Sequence, residues 1–74
     1  MNEESKQWLL TEFPTHSIKT LRGETLSAYY RAEMLLNGWD RIKQRSCSCQ
    51  YRGLKNSVDG SYKQWLQNEE NLHN

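Results

Sequence analysis

Residues 24–42 read ETLSAYYRAEMLLNGWDRI. Within them Ala28, Ala32, Leu35, Trp39 and Ile42 recur at intervals of four, three, four and three positions. Such spacing returns side chains to one side of a 3.6-residue helix, so the stretch predicts an amphipathic helix with an apolar stripe. Asn37-Gly38 interrupts it. Glycine costs about 1 kcal/mol inside a helix but suits the residue just past a helix end. The pattern therefore predicts one helix over about 24–36 and a second starting near residue 39, with a single long helix as the other reading.

Upstream, residues 3–12 predict a short helix with Asn2 as its N-cap and Pro14 enforcing the stop. Trp8, Leu9 and Phe13 supply its apolar face, and Ile18 and Leu21 are expected to pin the connector that follows. Downstream, Tyr51, Leu54, Val58, Tyr62 and Trp65 recur at three, four, four and three positions, again a helical stripe. Two signals oppose it. Asp59-Gly60 is a hairpin-turn pair, and residues 46–51 (SCSCQY) alternate with period two.

The helical stripe is the longer signal, so the fold class expected is mainly α. The expectation is a single small domain over residues 1–74, built as a bundle of three to four helices. The alternative is an α+β fold with a C-terminal hairpin around Asp59-Gly60. Residues 1–2 and 68–74 are polar and expected to fray unless a partner holds them. KQWL occurs at both 6–9 and 63–66, but the flanks do not align, so the echo reflects two amphipathic helices rather than a duplicated unit.

A 74-residue chain buries only about 60% of the surface it exposes when unfolded, which makes for a thin core. Hydrophobic residues make up 35% and mean hydropathy is −1.02. Disorder is still the weaker reading, because the chain carries three Trp, four Tyr and one Phe at a net charge of +1. Each large aromatic buries about 150–250 Å², enough for a few to organise a small core. Trp8, Leu35, Trp39, Ile42, Leu54, Val58 and Trp65 are the expected core or interface anchors.

The first residues are acidic and no apolar run exceeds three residues, as at 34–36. A secretory leader needs a basic start and an apolar stretch, and a membrane span needs about 20 apolar residues. No Asn-x-Ser/Thr acceptor occurs either. The expected setting is intracellular (cytoplasmic) or within an assembled particle, without secretion and without a membrane.

No phosphate loop, dinucleotide fingerprint or nucleophile elbow is present, and the four glycines are scattered. The adjacent carboxylates Glu3-Glu4 and Glu69-Glu70 read as solvated helix ends. No enzymatic activity, cofactor or small-molecule substrate is expected. Cys47-x-Cys49 together with His16 and His73 would nominally complete a zinc set, but the spacing matches no common finger. The sequence instead predicts the two cysteines to be small buried hydrophobes, with no metal.

Charge is unevenly spread. Arg41, Lys43, Arg45, Arg52 and Lys55 occur between residues 41 and 55 without an intervening acid, whereas Glu3, Glu4, Glu12, Glu69 and Glu70 lie toward the ends. These five basic residues are the expected contacts to a partner or to phosphates. A helix-turn-helix can be drawn over 24–53, with Asn37-Gly38 in the turn and Arg41, Lys43 and Arg45 on the second helix. A sequence pI of 7.8 is low for a dedicated nucleic-acid binder.

The leading expectation is therefore a non-catalytic helical packing or interaction protein with a protein partner or homo-oligomer. Small, cysteine-poor, non-catalytic chains of this kind are common among structural and accessory components of virus (phage) particles. The rival is a small nucleic-acid-binding regulator.

Overall fold

A computed structural model describes residues 1–17 and 20–72, with side chains through residue 69. Ile18 and His73 lie outside the described residues. Among the described residues three helices form: α1 (Glu3–Thr11), α2 (Glu24–Asn37) and α3 (Tyr51–Leu72), with short 3-10 turns at Phe13–Thr15 and Ser48–Gln50. No strand occurs among the described residues, and no helix is long and apolar enough to cross a membrane.

Each boundary has a local cause. Asn2 caps α1, its Oδ1 accepting the Ser5 N–H at 2.8 Å, and Glu3 and Glu4 in the first turn complement the helix dipole. Pro14 enters the 3-10 turn that ends this segment. Helix α2 stops at Gly38, whose φ of 70° is left-handed. There the Gly38 N–H reaches the Leu35 carbonyl (3.3 Å) and the Trp39 N–H reaches the Met34 carbonyl (3.0 Å), the paired bonds of a Schellman cap. Asn37-Gly38 is thus a true helix end.

No second helix begins at 39. Residues 39–47 have neither helical nor strand structure. The stripe ends because nothing is left to bury it: Ile42 is 44% exposed, and Trp39 is half-buried but outside the core cluster. The helix-turn-helix reading falls with it, since Arg41, Lys43 and Arg45 lie on an irregular connection.

The C-terminal hairpin does not form either. Asp59-Gly60 sits inside α3, because the stripe through Leu54, Val58, Tyr62 and Trp65 has a core to bury against. Helix α3 continues to Leu72, so part of the polar tail is helical. At about 1.5 Å per residue its 22 residues span about 33 Å.

Helix α2 packs on the first half of α3, and α1 reaches the second half through Tyr62 and Glu69. The core holds Leu9, Phe13, Tyr29, Tyr30, Ala32, Leu54 and Val58, with Trp8, Leu21, Leu35 and Trp65 half-buried against it. Phe13 is its hub, edge-on to both Tyr29 (5.1 Å) and Tyr62 (4.9 Å). Of the expected anchors, Leu54 and Val58 are core, Trp8, Leu35 and Trp65 line its rim, and Trp39 and Ile42 belong to neither.

Candidate partner-binding face on the 38–50 connection

The five basic residues divide by what they touch. Arg45 turns inward. Its Nη1 donates to Glu33 Oε1 at 2.5 Å, and its backbone N–H donates to the Tyr30 hydroxyl at 2.9 Å. Glu33 is only 3% exposed, so a cation must meet its carboxylate there. The bond to Glu33 in turn holds the Arg45 proton more firmly than usual.

Lys55 is also committed to the fold. Its Nζ donates to the Ser17 carbonyl (2.8 Å), the Tyr29 hydroxyl (2.9 Å) and Asp59 Oδ2 (3.2 Å). The Tyr29 hydroxyl donates onward to Asp59 Oδ1 at 2.7 Å. Bonding to Tyr29 and Asp59 raises the Lys55 pKa, and burial raises that of Tyr29. This network ties the connector between α1 and α2 to α3.

Arg41, Lys43 and Arg52 remain. All three are exposed and make no ion pair among the described residues. Lys43 Nζ lies 4.1 Å from the centre of the Trp39 ring, a cation–π contact that orders the indole against the connection. Beside them opens a depression of about 790 Å³ lined by Trp39, Lys43, Gln44, Arg45 and Cys49. An indole, an exposed isoleucine and two free cations, Arg41 and Lys43, thus share one short connection, which Arg45 anchors from beneath, and Arg52 follows it in the first turn of α3.

Both cysteines are exposed, which corrects the reading of them as buried hydrophobes. The cause is local. Cys47 caps the 3-10 turn Ser48–Gln50, its Sγ accepting the Cys49 N–H at 3.3 Å, and this holds both thiols at the surface. Hydrogen bonding from the Cys49 thiol and N–H draws the Cys47 pKa down, while the same thiol contact pushes Cys49 up. His16 is engaged elsewhere, with Nδ1 3.2 Å from Thr25 Oγ1.

Sequence reasoning missed Tyr29, Tyr30, Glu33 and Asp59, the groups that capture Arg45 and Lys55. One signal was available. Glu33 follows Tyr29 by one helical turn and directly follows Ala32, so it sits at the edge of the apolar stripe, where a carboxylate needs a partner. Comparison with protein families, curated proteins and solved structures finds no match to this chain.

Proposed function

We propose that this chain is a non-catalytic helical interaction protein that docks a protein partner through the 38–50 connection. In this reading it serves as a structural or accessory component of a larger assembly, such as a virus particle. The observation that carries it is Trp39: half-buried, outside the core cluster, and held under Lys43 beside the exposed Ile42. Tryptophan and arginine dominate interface energetics, and an apolar centre ringed by charge is the usual anatomy of a docking patch. The free Arg41, Lys43 and Arg52 suit a partner surface bearing carboxylates, where charge sets orientation and encounter rate.

A protein partner is favoured over nucleic acid on two grounds. Arg45 and Lys55 are used internally, leaving three free cations, and no helix presents the basic residues of the connection to a groove. The test replaces Arg41, Lys43 and Arg52 together by Gln, leaving the two structural cations intact. Incorporation into the native assembly and binding to duplex DNA are then measured side by side. Lost incorporation, with no DNA affinity in the parent chain, supports the reading. Submicromolar DNA binding by the parent with a steep salt dependence, abolished by the triple change, overturns it in favour of a nucleic-acid-binding regulator.

A further inference from the structure

Cys47 and Cys49 are a nucleophilic pair that the core does not use and to which the docking reading assigns no role, although Cys49 lines the depression beside Trp39. Both are exposed, two residues apart, and joined by the bond from the Cys49 N–H to Cys47 Sγ. That bond curls the chain so that Cys47 Sγ lies over the residue carrying the second thiol. Main-chain N–H donors to sulfur are also what surrounds thiolates that ligate metals, where they offset the charge and fix the ligand's orientation.

We infer that Cys47 and Cys49 form a two-thiolate site for a monovalent thiophilic metal ion of the cuprous class. The donor set selects the ion. Zinc requires four ligands in a closed site, and calcium and magnesium require oxygens. Among the described residues, no group of three or more His, Cys, Asp or Glu side chains converges on one point. Two soft sulfurs without a harder ligand suit an ion that accepts two-coordination, and thiolates select copper(I) over hard cations.

Charge favours the same product. Cuprous ion and two thiols give a bis-thiolate complex of net charge −1 and release two protons, with no electron transferred. Lys43, which makes no ion pair among the described residues, lines the same depression as Cys49 and supplies positive charge beside the anion. The inference does not depend on the identity of any protein partner.

The experiment titrates the reduced full-length chain anaerobically with cuprous ion against a chromogenic copper(I) chelator. The parent is compared with Cys47→Ser, Cys49→Ser and the double variant. The expected result is one copper per chain, with two sulfur neighbours and no nitrogen by X-ray absorption. Losing either thiol turns a chelate into a single ligand, so each single variant should bind about 100-fold more weakly. Circular dichroism should match the parent in all three variants, because both side chains are exposed. Uptake by the parent no greater than by the double variant overturns the inference. So does a single variant that retains parental affinity, or a complex of two chains around one metal.

Discussion

The carboxylate of Glu33, buried on α2, is met by the guanidinium of Arg45 from a segment with no regular structure. The pair explains why the connection after Gly38 runs as it does: the chain must bring residue 45 back over α2 to neutralise residue 33.

Removing one partner should therefore cost far more than removing a free cation. Arg45→Gln strands a buried carboxylate, a change worth about 3–5 kcal/mol for a fully buried pair and somewhat less here, because Arg45 keeps 24% side-chain exposure. Arg41→Gln should stay within about 0.5 kcal/mol of the parent. Replacing both Glu33 and Arg45 by apolar residues of similar volume should recover most of the loss. Urea unfolding followed by tryptophan fluorescence measures all three. Equal costs for Arg45→Gln and Arg41→Gln would contradict the assignment.

Trp39 and Phe13 should behave in opposite ways. Phe13 is fully buried between Tyr29 and Tyr62, so Phe13→Ala should cost about 3–5 kcal/mol and unfold a chain with so thin a core. Trp39→Ala loses a cation–π contact and part of a half-buried surface, a loss of about 1–2 kcal/mol, and should remain folded while losing affinity for the partner proposed to dock there. Circular dichroism and thermal melting separate the two, and an unfolded Trp39→Ala chain would return Trp39 to the core.

The glycines of α3 offer a gain. Gly53 and Gly60 are helical and exposed, and a Cβ built on either would meet nothing within 4 Å. Gly53→Ala and Gly60→Ala should each stabilise the fold by about 0.5–1 kcal/mol, through helix propensity and a less flexible unfolded chain. A loss of stability in either variant would mean that the helix bends or opens at that position.

Stability should fall on the alkaline side. Burial raises the pKa of Tyr29 and of Tyr62, and bonding to Tyr29 and Asp59 raises that of Lys55. All three hold their protons more tightly when folded, so their contribution is complete below the unfolded values of about 10 and is lost as pH rises through the folded ones. Unfolding free energy should decline above about pH 10. Tyr62→Phe loses the hydrogen bond to the Leu9 carbonyl and about 1 kcal/mol at neutral pH, yet should decline less steeply above pH 10. A decline as steep as the parent's would remove Tyr62 from the titration.

Much of the fold was legible in the sequence because the stripes on α2 and α3 and the stop at Gly38 are local signals. The misreadings share one cause. Trp39 and Ile42 keep helical spacing past a helix end, but periodicity creates a helix only where a surface exists to bury it. Asp59-Gly60 carries turn chemistry, yet Asp59 is claimed by Tyr29 and Lys55 within a longer apolar stripe. The basic cluster misled in the same way. Its members are neighbours in sequence, but Arg45 answers to a carboxylate twelve positions back and Lys55 to a phenol twenty-six back. Such pairings depend on how α2 lies against α3, which a one-dimensional pattern does not contain.

The arrangement of the helices along α3 also sets an order of release. Helix α2, the connection and α3 form one antiparallel hairpin, laced at Glu33–Arg45 and Tyr29–Asp59. Helix α1 is attached to that hairpin by the Lys6–Glu69 pair, the Tyr62–Leu9 bond, the packing of Leu9, and Arg31 over the Trp8 ring at 4.4 Å, while Phe13, beyond its end, stays in the core. The lacing of the hairpin needs nothing from α1, whereas every long-range contact of α1 needs the hairpin. Amide protons of α1 should therefore exchange through a partial opening in which the hairpin stays closed, and α1 should be the last element to dock during folding.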